Sequence, residues 1–206
     1  MQSQEHWETV YATKDSHSLS WYQAHAAQSL RLIRETGVPL TAKIIDVGGG
    51  ASTLVDDLLA DGYTGVSVLD LSATALAVAQ RRLGAQAALA RWLHGDVTQI
   101  PLAAHTYDIW HDRAVFHFLT DAETRRAYVD AVLRSVKPGG HVIVATFAED
   151  GPLQCSGLPV VRYDPNALHA QFGAPFALVR HLREEHQTPN GAVQQFIYCY
   201  CRKLGS

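Results

Sequence analysis

The sequence predicts an open α/β domain, a mostly parallel sheet with helices on both faces. Three observations carry this. Between residues 43 and 147, short β-branched or apolar runs alternate with amphipathic helical stretches, the pattern of repeated βαβ units. The first run, Lys43-Ile44-Ile45-Asp46-Val47, passes straight into Gly48-Gly49-Gly50, where the backbone can approach a ligand with no Cβ in the way. Four successive strands also end on a carboxylate, Asp46, Asp70, Asp96 and Asp112, at the sheet edge where open α/β folds bind ligands.

Composition narrows the function classes. The 206 residues, 47% apolar and 18% charged, suit one domain spanning 1–206, with 1–40 as an N-terminal helical cap and 41–206 as the α/β core. Net charge is −3 and no run of five basic residues occurs, so nucleic acid is not the expected partner. The N-terminus shows no basic segment followed by an apolar one, and no apolar stretch approaches the roughly 18 residues of a bilayer span. A cytoplasmic protein without membrane attachment is expected. Cys155, Cys199 and Cys201 are odd in number and form no disulfide framework, which agrees with a reducing compartment.

Taken in order, residues 4–12 and 19–36 read as cap helices, the second stopped by Gly37 and Pro39, with a polar loop at 13–18 between them. The strand at 43–48 leads to a helix at 53–60, ended by Asp61-Gly62. A second strand covers 65–71, and Ser72 is the N-cap of an alanine-rich helix at 73–83. Strands at 91–96 and 107–112 follow, then a helix at 121–136, the break Lys137-Pro138-Gly139-Gly140 and a strand at 141–147. Residues 149–163 show no period and read as a loop bordering the ligand site. Asp164 and Pro165 open a helix. Runs at 176–187 and 192–202 flank Thr188-Pro189-Asn190-Gly191 as an antiparallel hairpin. Leu204-Gly205-Ser206 is read as an added tail and set aside.

Asp70 lies 24 positions after Asp46, close to the spacing at which an acidic residue meets the hydroxyls of an adenosine ribose. Counting from Gly48 and Gly50, the third glycine position of the dinucleotide fingerprint is Thr53, which disfavours a pyrophosphate cofactor. These residues resemble the motifs of class I S-adenosylmethionine-dependent methyltransferases. Asp46, Gly48 and Gly50 match the first motif, with Ser52 where a third glycine often stands. Asp70 and Leu71 match the second, and Asp96 with Val97 the adenine-binding position. His111-Asp112-Arg113 match the fourth-strand motif, and Lys137-Pro138-Gly139-Gly140 the turn after the helix.

The resemblance implies a Rossmann-like seven-stranded sheet whose last two strands form the hairpin. It also implies S-adenosylmethionine as cofactor and S-adenosylhomocysteine as product. Gly48, Gly49 and Gly50 would pass the methionine portion, Asp70 would accept from the ribose hydroxyls, and Asp96 with the Val97 amide would hold the adenine edge. Trp7, Tyr11, Trp21 and Tyr22 resemble the Trp/Tyr signature of methyltransferases that cap the cofactor with an N-terminal helix, a group that includes protein-lysine methylators.

Methyl transfer is an in-line displacement, so a base is needed only where the nucleophile arrives protonated. His117 is the first candidate base, and the alternative is a histidine packed among Phe116 and Phe118. Asp112 is read as a site residue, and His111 stands evenly between site and structure. Arg113 would recognise an acidic acceptor or pair with a neighbouring carboxylate. Cys155 would touch the acceptor or pack its loop. Cys199 and Cys201 share one strand face and read as core, while the Arg81-Arg82 and Arg125-Arg126 pairs read as solvated helix faces. No metal is expected, since the eleven histidines form no close helical ligand pair.

The function expected is methyl transfer to a nitrogen, oxygen or sulfur of a small molecule, by a monomer or homodimer. The alternatives are a protein-lysine N-methyltransferase and, from other classes, a non-catalytic cofactor-binding module or an NAD-dependent oxidoreductase.

Overall fold

The computed structural model describes residues 4–205; the leader reading at residues 1–3 and residue 206 of the tail lie outside them. Helices α1 (Gln4–Thr13) and α2 (Ala27–Glu35) precede strand β1 (Lys43–Val47), helix α3 (Leu54–Ala60), strand β2 (Gly65–Asp70) and helix α4 (Ala73–Leu83). Then come β3 (Arg91–His94), β4 (Tyr107–Arg113), α5 (Ala122–Ser135) and β5 (Val136–Phe147). A small hairpin, β6 (Gln154–Cys155) and β7 (Leu158–Pro159), is followed by α6 (Pro165–Phe172) and the long strands β8 (Phe176–Gln187) and β9 (Val193–Lys203).

Seven strands form one sheet in the order β3-β2-β1-β4-β5-β9-β8. The pairs from β3 through β5 are parallel, whereas β5–β9 and β8–β9 are antiparallel. Alternate residues therefore serve opposite faces. Ile45, Val47, Trp110, Val142 and Val144 pack under α5 and α6, while Ile44, Val66, Val68, Ile109 and Ile143 pack under α2 and α3. Cys199 and Cys201 lie buried on the first face with their sulfurs 3.3 Å apart, as core residues.

The predicted capping residues do their work. The side chains of Ser72, Asp121 and Asp164 accept from the Ala75, Thr124 and Asn166 amides. The break at 137–140 is a bulge within β5, whose register on β4 jumps from Tyr107↔Val136 to Ile109↔His141. The hairpin turn closes from the Gly191 amide to the Thr188 carbonyl at 2.9 Å, with Gly191 at φ +81°.

Two expectations need correction. The helix at 19–36 begins only at Ala27. Helical bonding would commit the carbonyls of Ser20, Trp21 and Gln23 to amides four residues on, but His186, Arg113 and Thr53 take them instead at 2.7, 3.4 and 3.0 Å. The segment at 149–163 is not structureless, because β6 and β7 pair within it around Ser156-Gly157, both at positive φ.

Candidate functional site

The sheet order reverses at β1, which has β2 on one side and β4 on the other. Beyond the carboxyl ends of these strands lie two clefts that share Val47, Gly48, Tyr11, Trp21 and Arg113. The larger runs past Asp70, Leu71, Asp96 and Val97 to Ala114, Phe118 and Cys155, with Trp7, Tyr11 and Trp21 over it. The smaller is lined by Asp46, Gly49, Ser52, His111, Ser29, Tyr22 and Gln23 among others.

Three of the four strand-end carboxylates reach these clefts. Asp70 accepts the Gly50 amide at 2.9 Å and the Ser72 amide at 2.8 Å, and burial still pushes its carboxyl up to about 6. Asp96 lines the larger cleft and accepts from the Thr98 amide and hydroxyl. Asp46 is buried against the glycine turn. The glycines are required as much by these carboxylates as by a passing ligand. A Cβ on Gly49 would stand 2.3 Å from Asp46 Oδ2, and one on Gly50 2.5 Å from Asp70 Oδ2. Gly48 has φ +70° and lies against Val115. Ser52 Oγ accepts the Leu54 amide at 3.1 Å, just ahead of α3.

From Asp46 a buried polar chain crosses the molecule. Asp46 Oδ1 meets His111 Nδ1 at 2.7 Å, and His111 Nε2 meets Ser29 Oγ at 2.8 Å. Ser29 reaches the Tyr198 hydroxyl at 3.3 Å, and Tyr198 donates to Glu184 at 2.9 Å. Glu184 also accepts from Gln23 and from Arg113 Nε, the latter at 3.2 Å, while the Arg113 guanidinium stacks 4.1 Å from the Phe196 ring centre. Burial alone would raise the Glu184 carboxyl; the Arg113 charge and the hydrogen bonds from Gln23 and Tyr198 outweigh it and hold the carboxyl below its usual value. The two ends of this chain, Asp46 Oδ2 and Arg113 Nη2, are buried without a hydrogen-bond partner, and both residues line the smaller cleft.

The acid–base candidates fare differently. Strand alternation turns Asp112 away from His111 and toward α5, where it accepts from the Val115 and Phe116 amides and the Tyr128 hydroxyl. Asp112 lines neither cleft and acts as a buried scaffold for the turn after β4, which corrects its reading as a site residue. His117 is likewise corrected: it is fully buried and lines neither cleft. Its Nδ1 accepts the Phe147 amide, its ring packs on Phe118 and Phe147, and burial with the Arg113 charge pushes it down to about 3. His111 belongs to the buried chain, and Cys155 lines the larger cleft, where burial pushes its thiol up to about 11.

Sequence reading missed four anchors. Glu8 accepts the Ala73 and Thr74 amides at the N-terminus of α4, which docks α1 over the larger cleft. Arg82, exposed as expected, also donates to the carbonyls of Ala51 and Ser52 and to Asp56, pinning the glycine turn. Arg125 donates to the Leu119 carbonyl. Glu184 arrives from the far hairpin, 71 positions from Arg113, with no local signal to announce it. Among the described residues no group of three or more His, Cys, Asp or Glu side chains is arranged to hold a metal ion.

A family model described as a methyltransferase domain matches residues 44–140, from β1 into β5. The ubiquinone/menaquinone biosynthesis C-methyltransferase UbiE of Roseobacter denitrificans is 26% identical over 110 residues, 52% of this chain and 43% of that relative's own length. Among solved structures, one concerned with conversion of a disulfide bond into a thioacetal group during echinomycin biosynthesis superposes with TM-score 0.80 at 17% identity, over 98% of this chain and 92% of its own. The 1,6-didemethyltoxoflavin-N1-methyltransferase of Burkholderia thailandensis gives 0.69 at 17%, over 98% and 87%. The N-methyltransferase NodS of Bradyrhizobium japonicum gives 0.68 at 17%, over 86% and 84%. At these identities the solved structures speak for the fold. With the domain match over residues 44–140, the strand order and the motif residues together, the chain is similar to the class I S-adenosylmethionine-dependent methyltransferases and shares their Rossmann-like fold.

Proposed function

We propose that the protein transfers a methyl group from S-adenosylmethionine to a nitrogen, oxygen or sulfur atom of a small molecule, as one domain in which residues 1–40 cap the 41–206 core. The observation that carries this reading is the pair of unpartnered buried atoms in the smaller cleft, Asp46 Oδ2 and Arg113 Nη2. An acceptor oxygen and a donor nitrogen, each left without a hydrogen-bond partner on an otherwise paired group, suit an α-amino acid, with its ammonium toward Asp46 and its carboxylate toward Arg113. The adjoining cleft offers Asp70 to ribose hydroxyls and Asp96 with Val97 to an adenine edge. One molecule joins a nucleoside to an amino acid across a sulfonium, and that sulfonium supplies the activated methyl group.

The chain's own part is to bind, orient and exclude water. Gly48 and the shared residues Tyr11 and Trp21 stand at the waist between the clefts, where the sulfonium would lie beside ring faces. The acceptor side carries Arg113 paired with Glu184 and no free acidic rim, which favours small molecules over lysine side chains. The neighbours' names, a ring N1-methyltransferase and a disulfide-converting system, agree with nitrogen or sulfur chemistry.

Calorimetry tests the reading. S-adenosylhomocysteine should bind and NAD should not. Arg113→Lys should weaken S-adenosylhomocysteine about tenfold, the size of a lost charge-assisted hydrogen bond, and leave methylthioadenosine, which lacks the amino acid, unchanged. Equal losses for both ligands would overturn the amino-acid assignment.

A further inference from the structure

We propose that the methyl acceptor is a flat, uncharged molecule whose nucleophile, a ring nitrogen or a divalent sulfur, offers a lone pair that carries no proton. This rests on the methyltransferase reading. The strand order along the sheet edge assigns the two ends of the larger cleft. Asp96 and Asp70 follow β3 and β2, Gly48 follows β1 in the middle, and Arg113, Ala114 and Cys155 follow β4 and β5 at the far end. With the nucleoside at the first end, the acceptor meets the methyl group at the far one.

Phe118, in the turn after β4, walls that end, and Trp7 and Trp21 roof the cleft beside it. Trp7 meets Trp21 at 5.7 Å and Phe118 at 5.2 Å between ring centres, both edge to face. Such surfaces take a planar apolar guest. None of the eleven histidines lines the larger cleft. Arg113 is held through Nε by Glu184 and through Nη1 by the Trp21 carbonyl, which leaves Nη2 for the cofactor carboxylate proposed above, and Asp121 serves the first turn of α5. Burial pushes the Cys155 thiol up to about 11 and raises the Tyr11 hydroxyl, so neither exists as a base at neutral pH. His111, in the smaller cleft, has both ring nitrogens engaged by Asp46 and Ser29.

An acceptor bearing an O–H or ammonium N–H would need a base that this end of the cleft lacks. A bare lone pair closes the balance in one displacement. The acceptor's electron pair forms the new bond to carbon, the carbon–sulfur bond breaks with its pair remaining on sulfur as a neutral thioether, and the positive charge passes to the acceptor. No proton moves. A cation is present on both sides of the step, which suits the ring faces of Trp7 and Trp21.

The test is calorimetric titration of the S-adenosylhomocysteine complex with quinoline, methyl naphthyl sulfide, naphthol and naphthoate, matched in shape and different in nucleophile. Each is then incubated with methyl-labelled S-adenosylmethionine between about pH 6.5 and about pH 9. Quinoline or the sulfide should bind about tenfold tighter than naphthoate and become labelled, at a rate that changes less than about twofold across that range. Binding of neither overturns the proposal. So does tighter binding of naphthoate, or labelling of naphthol at a rate rising about tenfold per pH unit. Failure of S-adenosylhomocysteine to bind at the outset overturns the methyltransferase reading instead.

Discussion

Asp70 supports the glycine turn and faces the larger cleft with the same two oxygens, so its protonation has two consequences of different sign. Its folded pKa of about 6 lies above the ordinary 3.8, raised by burial. The stability it contributes is therefore complete below pH 3.8 and lost as pH rises through about 6. Binding of ribose hydroxyls needs the ionised form. Affinity for S-adenosylhomocysteine should thus fall as pH drops from 7.5 to 5, and in Asp70→Asn the affinity should be about tenfold weaker and flat over that window, measured by calorimetry. His117 has the opposite linkage. Its pKa is pushed from 6.5 down to about 3, so its contribution is present above pH 6.5 and lost as pH falls toward 3. Denaturant unfolding of His117→Asn should show a shallower loss of stability between those values than the parent chain. Gly50→Ala forces a methyl group onto the Asp70 carboxylate and the Ala75 side chain, and should cost about 1–3 kcal/mol in the same measurement.

Helix α1 places Trp7 and Tyr11 over the cleft, yet Val10 is the one residue it buries fully. What holds it is the Glu8 carboxylate on the two exposed amides of α4. Burial alone would raise the Glu8 carboxyl, but the hydrogen bonds from Thr74 and Ala73 win and hold it below the ordinary 4.5. The latch is therefore present above pH 4.5 and weakens as pH falls further. Glu8→Ala should cost about 0.5–2 kcal/mol, like the loss of a helix cap, and should speed amide exchange in residues 4–13 far more than in the sheet. Exchange unchanged in α1 would show that its rings, not its carboxylate, dock it. The 19–26 segment obeys the same logic. Its apolar residues look helical, but the donors of Thr53, Arg113 and His186 claim its carbonyls and hold Trp21 over the waist of the site.

In the whole molecule, the site exists because β1 has neighbours on both sides and both clefts open at that reversal. A ligand that spans the clefts touches the cap, the glycine turn and the β4 end together, so binding should stabilise the chain as a unit. S-adenosylhomocysteine at about 100 times its Kd should add about 2.7 kcal/mol, which raises the Tm of a chain of this size by roughly 5–10 °C in a thermal scan. NAD at the same concentration should leave the Tm unchanged.

The alternation of strand and helix, the caps at Ser72, Asp121 and Asp164, the closing hairpin at Asn190-Gly191 and the carboxylates at Asp46, Asp70 and Asp96 were all legible in the chain, because each depends on residues close in sequence. The loss of the helix at 19–26, the inward turn of Asp112, the burial of His117 and the joining of Arg113 to Glu184 were not, because each depends on a partner many residues away. Local propensity and periodicity set the elements and the cofactor edge. The burial of particular side chains, and which of their atoms are left without a partner, arise only when distant strands meet, and those atoms define where a ligand's charges belong.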